Sequence, residues 1–279
     1  MRHVVLVAKN AFRAVMSQRA LYMWGFAVVI MFLRSGPALF AQPERGPEFV
    51  AFLRANAVSG SLDLWSYLCM GGAIYLGASS IASELRSKTI ITVLSHPVRR
   101  WQMLIGKWIG VSAFCAVTLG IGIALGYGLA RYLEVNIEEG VLAISATRTI
   151  AGIVLFAGLA TAMSTMGSAP IAVAVTMFFA IVPQLIPPMR EYPNPIYQRI
   201  GAVLDAVVAP GYQSHYNGVV WAAPPIPPQF RDRIPAAIRQ RPTVDYGEQR
   251  RETAKIAAYA GAYFLLGCVA FTRRDLKFG

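Results

Sequence analysis

Residues 81–110 read IASELRSKTIITVLSHPVRRWQMLIGKWIG. The stretch joins two apolar runs through a short charged connection carrying Glu84, Arg86, Lys88, His96, Arg99, Arg100 and Lys107, with Pro97 marking a break in it. A chain that only has to reverse direction at the edge of a bilayer needs no such concentration of charge. Residues 84–107 are therefore a candidate docking surface, and the runs on either side decide the fold.

Those runs are too long and too uniformly apolar for a soluble domain. The 279 residues are 56% hydrophobic and 14% charged, with mean hydropathy +0.48, whereas soluble domains carry roughly 25% charged residues. A segment of about 20 apolar residues matches the hydrocarbon thickness of a bilayer. Six such runs occur, over about 20–40, 62–82, 108–130, 146–166, 169–187 and 254–272. The expected fold is an all-α integral membrane protein.

The flanks complete the domain organisation. In residues 1–19, Arg2, Lys9, Arg13 and Arg19 alternate with Val4, Val5, Val7, Ala8, Phe12 and Val15. That spacing predicts an amphipathic helix on the inner membrane surface, and its charged region is too long for a cleaved signal peptide. Residues 20–187 hold the first five spans, with polar connections at 41–61 and 131–145 and a tight turn at Ser164–Ser168. Residues 188–253 form an external segment dominated by proline. Within it, Ile196–Val208 has helical apolar spacing and Arg231–Arg241 predicts a second short helix. Residues 254–279 are the last span and its tail.

Orientation follows from Lys and Arg. Four lie in residues 1–19, five in 84–107 and three in the tail, against Arg34, Arg45, Arg54, Arg131 and Arg148 on the opposite short connections. Both termini are expected in the cytoplasm of a cell whose inner membrane holds the chain. The nine cations in 188–255 are compatible with an external position, because long loops escape the positive-inside bias.

The net charge of +12 suits anionic headgroups better than nucleic acid, since the cations cluster at the ends of apolar runs. Cys69, Cys115 and Cys268 lie inside apolar runs without paired spacing, and His3, His96 and His215 are scattered. Neither a disulfide framework nor a metal centre is expected. No Ser/Asp/His constellation marks a catalytic site. Gly106-Lys107 is followed by Trp108, and Trp101 stands where a phosphate-binding loop has its first glycine, so any ATP hydrolysis belongs to another chain. Gly106/Gly110 and Gly122/Gly126 have the G-x-x-x-G spacing of close helix approach and are candidates for a dimer interface. Glu84, where the second span leaves the bilayer, is either an interfacial charge neutralised by its neighbours or part of the docking surface.

The pattern E-x-x-x-K-T-I-x-x-x-L-S-x-P-V-x-R from Glu84 to Arg100, followed by L-I-G-K at Leu104–Lys107, resembles the permease subunits of type-2 ABC exporters. Lys88 stands where that family has glycine, and the family's serine before the arginine is absent. Phe271–Leu276 (F-T-R-R-D-L) is similar to the closing motif of such permeases. The resemblance implies a cytoplasmic coupling helix between spans two and three. That helix would dock an ATPase chain through Glu84, Arg86, Lys88, His96, Pro97, Arg99, Arg100 and Lys107. It further implies a second permease, identical or related, ATP and magnesium on the partner ATPase, and no cofactor on this chain. The implied function is ATP-driven export of a lipid-like, glycan, drug or peptide cargo. The alternative is a membrane subunit acting mechanically on an envelope partner at 188–252, or serving metalloenzyme maturation.

Overall fold

The computed structural model describes residues 2–16, 18–40, 47–86, 99–191, 194–207 and 246–273. Among them every regular element is an α-helix: α1 (Arg2–Val15), α2 (Gln18–Leu39), α3 (Pro47–Arg86), α4 (Arg100–Tyr132), α5 (Glu139–Ser164), α6 (Ala169–Glu191), α7 (Pro195–Val207) and α8 (Tyr246–Arg273). Arg100–Tyr132, Glu139–Ser164 and Arg250–Arg273 are long and apolar enough to cross a bilayer, and Trp24–Leu39 and Ala169–Val182 are shorter apolar helices.

Side-chain register fixes the direction of each helix. Leu62 and Trp65 of α3 fit against Gly126 and Gly122 of α4, while Lys107 near the start of α4 reaches Glu84 near the end of α3. These two helices are antiparallel. Trp108 near the start of α4 donates to the Val154 carbonyl in the second half of α5 (2.8 Å), so α4 and α5 are antiparallel too. Arg148 meets Glu252 and Ala162 meets Gly267, which makes α8 parallel to α5. The ends of α3, α5 and α8 and the starts of α4 and α6 thus gather at one end of the bundle. The 133–138 turn and the starts of α5 and α8 lie at the other.

Lipid tails are as apolar as leucine, so helices in a membrane are held by close packing rather than by expulsion of water. Small residues supply that packing here. Gly77 of α3 faces Ala157 and Ala160 of α5, and Gly267 of α8 faces Ala162. The main core joins α3, α4, α5 and α8 through Cys69, Ala73, Phe114, Cys115, Ile153 and Ala260, with Phe12 and Trp24 packed on it. Several buried hydroxyls bond back to their own helices, as Thr161 does to the Ala157 carbonyl (2.6 Å) and Thr149 to that of Ser145 (2.8 Å). No polar group of these side chains is then left for lipid to solvate.

Two features differ from the sequence expectation. The connection expected over 41–61 is helical from Pro47 onward, and α3 is one helix of 40 residues, about 60 Å at 1.5 Å per residue. Pro47 is tolerated in a first helical turn. Ala55, Ala57 and Val58 are buried against Ala38, Ala130, Leu133 and Val141. Polar side chains of this stretch find partners: Ser61 donates to the Ala57 carbonyl of its own helix (2.7 Å), and Arg54 to the Leu133 carbonyl at the end of α4 (3.4 Å). The second concerns the segment 1–19, where the expected helix is present but has a protein partner. Its helix α1 packs lengthwise on α4, with Val4 and Val7 over Gly106, Ala8 and Ala11 over Gly110, and Phe12 edge-on to Phe114 (6.1 Å between centroids).

The tight turn at 164–168 is present, since Thr165 and Met166 close it onto Ala162 and Met163. The helix expected over 196–208 is present as α7, started by the Asn194 side chain accepting from the Ile196 N–H (2.9 Å). The expected helix at Arg231–Arg241 lies outside the described residues. At its C-terminus α4 ends in a left-handed residue, Glu134 (φ 56°). Glu134 N–H reaches the Arg131 carbonyl (3.3 Å) and Val135 N–H the Ala130 carbonyl (2.8 Å). This is the paired closure of a Schellman motif, a position that favours glycine.

Candidate functional site at the paired ends of α3 and α4

The charged connection is framed by two helix ends, and the frame is well defined. Glu84 lies in the last turn of α3, and Arg86 closes that helix. Lys107, two turns into α4, forms an ion pair with Glu84 and also donates from Nζ to the Ser80 carbonyl (3.1 Å). One ammonium therefore ties two successive turns of α3. The Lys107 and Glu84 side chains are only 17% and 24% exposed, placing the pair between a solvated surface bridge and a buried one.

On the α4 side, Arg99 is the extended N-cap (φ −71°, ψ 144°). An arginine cannot accept a hydrogen bond from the first turn, so the cap is made in reverse. The Gln102 side chain accepts from the Arg99 N–H (3.0 Å), while the Gln102 N–H donates to the Arg99 carbonyl (2.9 Å). This is the second half of a capping box. Arg99 is exposed and Arg100 half-buried, so the cationic pair sits at the point where the connection enters α4.

Beneath this frame the first four turns of α4 are gripped on several sides. Ile81, Leu104 and Phe264 form a buried cluster with Ile105, Trp108 and Cys268 beside it. Trp108 stacks on Phe264 (4.2 Å, 22°) while its indole N–H holds the Val154 carbonyl. α1 closes the remaining side over Gly106 and Gly110. A displacement of the α3–α4 connection would be carried as a rigid-body movement into α1, α5 and α8, because close-packed interfaces transmit rather than absorb it.

Of the expected docking residues, the structure brings Glu84 and Lys107 together and sets Arg86, Arg99 and Arg100 at the two mouths of the connection. Lys88, His96 and Pro97, and the coupling helix itself, lie outside the described residues. Gly106 and Gly110 are covered by α1, and Gly122 and Gly126 by Trp65 and Leu62. Their G-x-x-x-G spacing is thus used inside the chain. The sequence reading missed Trp108 as an anchor and missed the partner of Arg148. That arginine is buried and pairs with Glu252 (2.9 Å). An arginine inside an apolar run requires such a partner, which was the available signal. Among the described residues no group of three His, Cys, Asp or Glu side chains is placed to hold a metal.

No curated protein matches the chain significantly. A family model described as ABC-2 family transporter protein matches residues 5–276, so the match runs from α1 through α8 and takes in both helix ends of the charged connection. The chain belongs to the ABC-2 transporter family and is a membrane permease component of an ABC transporter.

Proposed function

We propose that the chain is the permease half of an ATP-driven exporter, docked to a cytoplasmic ATPase through residues 84–107. The observation that carries this reading is the Glu84–Lys107 ion pair, which clamps the two helices on either side of the charged connection. Movement imposed there cannot be lost in one loose helix end. ATP and magnesium are bound by the partner ATPase. A second permease, identical or related, completes the path, and its cargo is lipid-like, glycan, drug or peptide. The glycine pairs being covered within the chain, that second copy meets another surface.

Six crossings, with both termini in the cytoplasm of the inner membrane, agree with the helix directions. They put Arg86, Arg99, Arg100 and Arg273 at one end of the bundle, as the positive-inside bias favours. Residues 188–253 then cap the external mouth. The test is co-purification with the cognate ATPase and stimulation of its hydrolysis. Replacing Arg99 and Arg100 together by glutamate should weaken both while the helices stay folded, since exposed charges steer association more than they stabilise. Unchanged co-purification and stimulation would refute the docking role.

A further inference from the structure

A cleft of about 510 Å³ lies between the N-terminal halves of α5 and α8, lined by Ala143, Ile144, Thr147, Arg250, Thr253, Ala254 and Ala257. That volume lies within the roughly 300–1,000 Å³ of small-molecule sites. The cleft opens outward, since Ala143, Thr147, Arg250, Ala254 and Ala257 are all exposed. Its walls are apolar even where hydroxyls occur. Thr147 donates its hydroxyl to the Ala143 carbonyl of its own helix (2.8 Å), which leaves its methyl for an incoming group.

Charge is graded along this groove. Arg250 lies one turn ahead of Ala254 along α8, and Ala257 about one turn further on. Of the carboxylates at this end, Glu252 is engaged by Arg148 at 2.9 Å, and Glu134, Glu138 and Glu139 belong to the turn and first residue of α5, outside the residues that line the cleft. Arg251 and Lys255, both exposed, add positive charge to the same end of α8. A cation over an apolar trough, on a surface facing the bilayer, is complementary to an amphiphile with an anionic head and a hydrocarbon tail.

The geometry points to a binding site for an anionic glycerophospholipid of the surrounding bilayer. Its headgroup lies at Arg250 and one acyl chain runs between α5 and α8 past Ile144, Ala254 and Ala257. The chemistry is independent of ATPase docking; the proposed orientation sets this end of the bundle, and so the headgroup, in the outer leaflet. A lipid seated there would bridge the two helices beside the Arg148–Glu252 pair, so its occupancy would bear on how α8 moves against α5.

Native mass spectrometry of the full chain in detergent, titrated with phosphatidylglycerol or phosphatidylcholine of matched chains, tests this. One basic residue at a membrane surface favours an anionic headgroup by roughly fivefold, and that preference is expected for the unaltered chain. Arg250→Glu should bring the two lipids to parity, and Arg250→Lys should keep the preference. Ala254→Phe, which fills the trough from an exposed position, should reduce retention of both lipids. Unaltered elution and melting of each variant establish that it is folded. Parity in the unaltered chain, a preference that survives Arg250→Glu, or full retention by Ala254→Phe would each overturn the site. Weak retention of both lipids by the unaltered chain would do the same, and would leave the groove to another part of the protein.

Discussion

Replacing Lys107 by methionine removes the ammonium that holds Glu84 and the Ser80 carbonyl, while keeping an apolar stem of similar length. Exposed ion pairs contribute about 0.2–1 kcal/mol, and removing one partner of a fully buried pair costs about 3–5 kcal/mol. At 17% and 24% side-chain exposure, this pair falls between those limits, so the substitution should destabilise by about 1–3 kcal/mol. Most of that cost is the loss of the Lys107 ammonium beside the half-buried Glu84 carboxylate. Glu84→Gln keeps an oxygen acceptor and should cost less. In the double variant part of the penalty should vanish, giving a coupling of about 1–2 kcal/mol from a double-mutant cycle. Thermal unfolding in detergent measures the stabilities, and stimulation of the ATPase measures transmission. The functional loss should exceed what the lost stability explains, because separated helix ends no longer move together. A Lys107→Met protein that melts and stimulates as the unaltered chain does would refute the clamp.

Three further outcomes follow from single contacts. Gly110→Leu must displace α1, since even a Cβ there would lie 2.7 Å from Ala11 Cβ and the Ala8 carbonyl; overpacking of about 1–3 kcal/mol should appear as a lower melting temperature and faster proteolysis after residue 15. Arg148→Met leaves Glu252, at 32% side-chain exposure, without its charge partner, and should lower stability by about 1–3 kcal/mol; a smaller loss in Arg148→Met with Glu252→Gln would show that the pair is the cause. Glu134→Gly relieves the left-handed residue that ends α4, and should raise stability by up to about 1 kcal/mol, read as a higher melting temperature with unchanged ATPase stimulation.

Much of the fold was legible because hydropathy reports directly on the solvent a segment requires. The runs that became α2, α4, α5, α6 and α8 were visible as runs, and the tight turn at 164–168 was visible as a gap too short for anything else. The extent of α3 was not. Residues 41–61 read as a polar connection, yet from Pro47 they are helical, Ser61 bonds its own helix and Arg54 reaches the Leu133 carbonyl. Polarity settled within a helix looks, in sequence, the same as polarity left to water.

The candidate site divides along the same physical line. Glu84 and Lys107 were legible as members of one site because they bracket a single connection, and the structure adds only that they touch. The glycine pairs carried half a message. Spacing of four says that some backbone or side chain comes close, but not whether it belongs to another copy or to this chain, and here α1 and α3 take the places offered. Arg148 carried the other half, since a buried cation demands an anion without naming it. Its partner Glu252 lies at the far end of the proline-rich segment, and only the parallel packing of α8 on α5 brings the two together. Periodicity identifies what each helix must satisfy. Which neighbour satisfies it is decided by the order in which helices pack, and that order is a property of the whole bundle.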